Sequence, residues 1–187
     1  MFMDKTRINL WVLFFYTKGD DELKVLSFDQ STRVSGWAYF EDGKYIESGT
    51  VDMSKSKLET DQRSFEMAKE LWKIMKKYKP EHLILENVQQ QSSVSTVIIL
   101  ARLAGMIIGY AEAHNVHTHI FLPSQWRKVL SYKQGAKVKR QELKQQSIDY
   151  IKENFNLELS EDECEAVAIG VAAHKLLGFT EDDLWGE

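Results

Sequence analysis

Four carboxylates carry the chemistry this sequence could perform: Asp29, Glu86, Asp162 and Glu165. Asp29 closes the short apolar run KVLSFD, and Glu86 closes a second one, HLILE. Strand ends in an α/β sheet are where loops depart and ligand sites form. Either acid alone could simply mark where the chain leaves the core, but two at strand ends, on strands able to neighbour each other, point to a shared site. Helix arithmetic sets the second pair. Ser160-Glu161-Asp162-Glu163 fits a capping box, which occupies Glu163 with the helix start and leaves Glu161 to complement the helix dipole. Asp162 and Glu165 are three apart, so they share one helix face, above the small or apolar Ala166, Ile169 and Gly170.

Clustered carboxylates repel one another and raise each other's pKa unless a cation balances them. An oxygen-only donor set suits Mg²⁺ or Mn²⁺ rather than zinc. Two such ions about 4 Å apart can activate a water and stabilise the leaving oxygen of an in-line phosphoryl displacement. The chemistry expected is metal-dependent cleavage of a phosphodiester.

The elements that must position these acids are legible. Three consecutive strands are expected, Lys24–Asp29, Ser35–Glu41 and Lys44–Asp52, with the last two joined at the hairpin signal Asp42-Gly43. Ser56-Lys57-Leu58-Glu59 fits a capping box, and helical period runs from there to Tyr78, with Phe65, Ala68, Leu71, Trp72 and Met75 on one face. His82–Glu86 is a central buried strand and 87–93 a polar loop. Val94–Ala113 is an apolar helix and Val116–Phe121 a fifth strand. A short helix opens at Pro123, and two more are expected over Val138–Asn154 and Ser160–Leu177. With 187 residues and no internal repeat, the chain holds one α/β domain over 24–178, an N-terminal extension over 1–23 and an acidic tail over 179–187.

The net charge of −4 does not announce a nucleic-acid binder, but its distribution does. Seven bases lie between Arg127 and Lys144 against the single acid Glu142, beside five acids between Glu158 and Glu165. Lys128, Lys133, Lys137, Lys139 and Arg140 are therefore candidate phosphate contacts. A lone cysteine, Cys164, rules out an internal disulfide framework and fits the reducing cytoplasm. The apolar stretch Ile8–Tyr16 lacks a small-residue cleavage site, and Arg102 inside Val94–Ala113 argues for a buried helix of a soluble protein with no membrane partner. His114, His117 and His119 lack an acid or cysteine at ligand spacing and read as surface or packing residues. Trp126 and Tyr132, flanked by bases, could stack on an unpaired base or pack in the core.

Four segments together resemble the RuvC-like Holliday-junction resolvases: Asp29–Trp37 (DQSTRVSGW), Leu83–Val88 (LILENV), Pro123–Lys128 (PSQWRK) and Asp162–Gly170 (DECEAVAIG). They occur in order across about residues 24–177. The resemblance implies an RNase H-like α/β fold, a five-stranded mixed sheet with helices on both faces. It implies Mg²⁺ or Mn²⁺, two ions per site, held by Asp29, Glu86, Asp162 and Glu165, and a homodimer that makes paired nicks in four-way DNA, leaving 5′-phosphates. Lys139 falls near the position of a DNA-contacting lysine of that family. Departures are Gln30-Ser31 for the usual Pro-Gly, Glu165 for the usual Asp, and Gln89 where an aromatic can contact the junction centre. These resemble the more divergent phage-borne members. Ala101, Gly105 and Gly109 form a small-residue stripe along the apolar helix and are the expected dimer contact. A broader flap or fork nuclease and a non-catalytic DNA-binding dimer remain open readings. An actin-like kinase would need a second glycine-rich phosphate loop, which is missing.

Overall fold

The first strand sets the logic of the molecule. In a computed structural model, which describes residues 23–89 and 93–179, β1 (Lys24–Asp29) alternates its side chains between two buried layers. Leu26 and Phe28 enter one apolar core, while Val25 enters the other, so Ser27 and Asp29 point to that second side by the two-residue period of a strand. Two more strands follow as an antiparallel meander, β2 (Val34–Glu41) and β3 (Lys44–Asp52). Their connection is the expected Asp42-Gly43 turn, with both residues at positive φ, 49° and 78°.

Helix α1 (Thr60–Tyr78) leads to β4 (His82–Glu86), which lies parallel to β1. Helix α2 (Val94–Ala113) leads to β5 (His117–Phe121), parallel to β4. The sheet order is β3-β2-β1-β4-β5. Three helices close the chain, α3 (Pro123–Val129), α4 (Arg140–Phe155) and α5 (Glu161–Leu177). Helices cover both faces: α1 and α2 share the core of Leu26 and Phe28, and α5, flanked by α3 and α4, covers the other. This is the five-stranded mixed sheet the sequence led us to expect.

Several local expectations need correction. The Ser56–Glu59 capping box does not form: Ser56 Oγ accepts from Leu58 N at 3.2 Å, and α1 begins after Glu59 without a side-chain cap. The inward face of α1 runs through Ser64, Met67, Ala68, Leu71 and Met75, leaving Phe65 51% exposed. Helix α4 begins at Arg140 rather than Val138. Helix α2 is not the buried helix its composition suggested. Its buried residues are Leu103, Ile107 and Ala111, while Val94 and Ile98 are 75% and 45% exposed. By length and composition alone α2 could cross a membrane, yet Arg102 pairs across to Asp61 of α1 at 3.2 Å. The expected extension over 1–23 lies, apart from Leu23, outside the described residues, as does the tail beyond 179.

Candidate active site

Asp29 and Glu86 become neighbours because β1 and β4 are adjacent and parallel, with Phe28 opposite Leu85. Each acid follows its partner in that register and, by the alternation of the strands, faces α5. Helix α5 brings the other pair. Ser160 caps it as expected: Ser160 Oγ accepts from Glu163 N at 3.4 Å, and Ser160 N donates to Glu163 Oε2 at 3.2 Å. Glu163 is thereby held at the helix start, and Asp162 and Glu165 face the sheet. The four acids line one open cleft of about 410 Å³.

Two glycines let α5 lie this close to the sheet. Gly36, opposite Asp29 on β2, would place a Cβ 1.9 Å from the backbone oxygen of Asp162. Gly170, further along α5, would place one 2.2 Å from the ring of Phe40. Between them Ser27 Oγ donates to the backbone oxygen of Ala166 at 2.8 Å, tying β1 to α5. The glycine inside a strand marks a close approach of backbone, not a turn.

Negative charge in the cleft is only partly balanced. Burial raises the pKa of Asp29 well above the ordinary aspartate value, and the charges of Glu165, Glu86 and Asp162 push it further. Burial also raises Glu86, Asp162 and Glu165. Glu86 is opposed by the charge of Arg127 and by a 2.7 Å hydrogen bond from Trp126 Nε1. Lys144 opposes the shift at Asp162 and Glu165.

These two bases stand among the acids. An Nη of Arg127 lies 3.7 Å from both Glu86 Oε2 and Glu165 Oε1. Lys144 Nζ lies 3.8 Å from Glu165 Oε2 and 4.0 Å from Asp162 Oδ1, and it hydrogen-bonds Glu161. Among the described residues, no three carboxylate, imidazole or thiolate groups stand close enough together to hold an ion as they are. The donor set nevertheless fits a hard divalent cation: it is all oxygen, and burial together with the three neighbouring carboxylates disfavours a bare charge on Asp29.

Sequence reasoning assembled the four acids but missed what surrounds them. Trp126 is fully buried and serves Glu86, and Tyr132 is buried edge-on against it, so neither is open to a stacking base. Gln30 Nε2 donates to the backbone oxygen of Glu86, fastening the ends of β1 and β4. The signal for Lys144 was present: it lies one turn after Arg140 on α4, so both share a face, and both line the cleft. Of the five expected phosphate contacts, Arg140 lines the cleft, while Lys128, Lys133, Lys137 and Lys139 are exposed and do not line it. Gln89 stands at the cleft and is exposed. His119 is no isolated surface residue: its Nε2 is 2.9 Å from Nδ1 of His82, under Phe179. Ala101, Gly105 and Gly109 are exposed, and a Cβ at either glycine would meet nothing within 4 Å among the described residues.

The chain can now be set beside known proteins. Crossover junction endodeoxyribonuclease RuvC of Fusobacterium nucleatum is 30% identical over 107 residues, covering 55% of this chain and 56% of that protein. The protein of the same name from Syntrophomonas wolfei is 26% identical over 166 residues, covering 85% and 94%. Among solved structures, Thermus thermophilus RuvC in complex with Holliday junction substrate superposes with a TM-score of 0.66 at 13% identity, covering 84% of this chain and 97% of that one. The yeast mitochondrial Holliday junction resolvase superposes with a TM-score of 0.54 at 14% identity, covering 83% and 79%. The sequence model of the crossover junction endodeoxyribonuclease RuvC family matches residues 25–173. With all four acids inside that span and gathered at one cleft of the expected fold, the chain belongs to the RuvC family of endodeoxyribonucleases.

Proposed function

We propose that this chain resolves four-way DNA junctions by hydrolysing phosphodiesters at the cleft of Asp29, Glu86, Asp162 and Glu165, working as a homodimer that makes paired nicks. The observation that carries this reading is the convergence of the four acids within the RuvC match. These acids would hold Mg²⁺ or Mn²⁺, two ions per site. When bound, the ions supply a water that is nucleophilic near neutral pH and neutralise the charge on the leaving oxygen.

The chain's own residues do the rest. Trp126 fixes the rotamer of Glu86 through its indole N–H, and Gln30 fixes the strand end that carries it. Arg140, at the start of α4, presents a guanidinium at the cleft to a phosphate of the strand being cut. Lys128, Lys133, Lys137 and Lys139 would grip the flanking backbone, giving an affinity that falls steeply with salt. The buried, unpaired Cys164 accords with action in the cytoplasm.

A cleavage panel tests the reading. Four-way, three-way, flap and linear DNA are incubated with Mg²⁺ or Mn²⁺, and product ends are mapped. We expect symmetric nicks in the four-way junction with 5′-phosphates. The polar, exposed Gln89 at the cleft favours a second, broader reading as a flap and fork nuclease, which comparable cutting of all branched substrates would support. Absence of cutting on every substrate with either metal would overturn both.

A further inference from the structure

The bases of the cleft sit where a metal-loaded site has least room for them. Arg127 reaches Glu86 and Glu165, and Lys144 reaches Asp162 and Glu165, so the two bases together meet three of the four acids. Neither holds these acids by a close hydrogen bond, since the separations are 3.7–4.0 Å. The close partner of Lys144 is Glu161, which is outside the quartet. Arg127 lies over the Trp126 ring, 4.7 Å from its centroid, and its buried Nε has no hydrogen-bond partner among the described residues. Both side chains therefore meet these acids mainly through charge, while Lys144 has a close partner in Glu161 and Arg127 has the Trp126 ring.

We infer that Arg127 and Lys144 are internal counter-ions that stand in for the divalent metal, so that metal loading must displace them. Resting on the metal-dependent reading above, this makes loading and DNA binding mutually reinforcing. A backbone phosphate entering the cleft offers the displaced guanidinium and ammonium a new anion, and by reciprocity metal then strengthens the hold on DNA. In the free enzyme the two bases compete with the ion, which keeps the site poorly loaded until substrate arrives. Lys144 already hydrogen-bonds Glu161, which would keep hold of it when the ion takes its place beside Asp162 and Glu165, a use for the first-turn acid beyond complementing the helix dipole.

The test needs no DNA. Binding of Mn²⁺ alone to the full chain is measured by electron paramagnetic resonance and calorimetry for the wild type, Lys144→Gln, Arg127→Gln and Lys144→Arg. Removing a positive charge about 4 Å from the site should tighten Mn²⁺ binding by about tenfold. Lys144→Arg, which keeps the charge, should stay near the wild type. A base that instead steadies the ligands around the ion predicts the opposite sign. Unchanged or weaker Mn²⁺ binding by both glutamine variants overturns the inference, as does failure of every protein to bind Mn²⁺. Circular dichroism on the same samples separates unfolding from a true loss of affinity. Junction cleavage, scored separately, tells the two readings apart: tight Mn²⁺ binding without junction cutting removes the proposed function and leaves the counter-ion role standing.

Discussion

Asp29 shows how a residue proposed for the chemistry can be unfavourable for the fold. Its carboxylate is disfavoured by burial and by three neighbouring acids, so its pKa is raised in the folded state. The sign of the consequence is fixed: stability linked to a raised carboxylate is present below the ordinary carboxylate range and lost as pH rises through the folded value. Asp29→Asn should therefore raise the melting temperature of metal-free protein at neutral pH by roughly 2–4 °C, and the gain should shrink as the pH falls. Only the difference between variant and wild type is informative, because histidines act in the opposite direction. Burial lowers His82 to about 4 and lowers His119 and His174 as well, so their contribution is lost as pH falls below the usual histidine range. With Mg²⁺ the ranking should reverse, since the wild type alone gains full binding energy. Cleavage by Asp29→Asn should drop by roughly three orders of magnitude or more while metal-free junction binding persists. Equal melting curves at every pH would show that the carboxylate is not under the strain described. The acid itself was legible because it broke an apolar run; the service of Trp126 to Glu86 was not, because a hydrogen bond across 40 residues leaves no local pattern.

At the scale of elements, the four acids converge because α5 packs directly on β1 and β2. Gly36→Ala tests that placement. The added methyl would meet backbone, the carbonyl oxygen of Asp162, at 1.9 Å, and backbone cannot rotate aside. The helix start must lift, carrying Asp162 and Glu165 from Asp29, at a cost of about 1–3 kcal/mol. Gly170→Ala serves as the comparison, because its methyl meets side chains, the Phe40 ring at 2.2 Å and Ser27 Oγ at 2.8 Å, one to two turns beyond the acids. Both should lower the denaturation midpoint, but only Gly36→Ala should lose most cleavage under conditions where it remains folded. Wild-type cutting by Gly36→Ala would show that the helix start does not position the acids. Strand and helix periods carried much of this architecture into the sequence: β4, α2 and the cap of α5 fall where patterning puts them. The start of α1 did not, because Ser56 satisfies a local turn through Leu58 N instead of reaching the helix. Helix α2 misled in another way. Its composition says only that its surface needs cover, and the chain itself covers one stripe through Leu103, Ile107 and Ala111.

For the whole molecule, that uncovered surface bears on how two cuts are coordinated. A four-way junction offers two scissile strands, and one copy of the chain carries one cleft of four acids. The proposed dimer supplies the second. The exposed stripe of Ala101, Gly105 and Gly109 lets backbones approach closely, and Ile98 on the same helix, with Ile120 on the edge strand β5, is 45% and 47% exposed. The double substitution Gly105→Glu with Gly109→Lys is a clean probe of this contact. Among the described residues nothing lies within 4 Å of a Cβ at either position, so none of them crowds the new side chains within one protomer. Leaving glycine inside a helix favours the folded protomer by about 1 kcal/mol per site, and the new pair has the stabilising four-residue spacing. Any loss of mass in sedimentation therefore reports association rather than unfolding. The expected outcome is a shift from dimer to monomer with an unchanged or raised melting temperature. On a supercoiled plasmid carrying an extruded cruciform, the wild type should give linear product from two coordinated nicks. The monomeric variant should give nicked circles, because the first nick releases the supercoiling that holds the cruciform open for the second. A variant that still sediments as a dimer would move the interface away from this stripe, and linear product from a monomer would remove the need for paired sites.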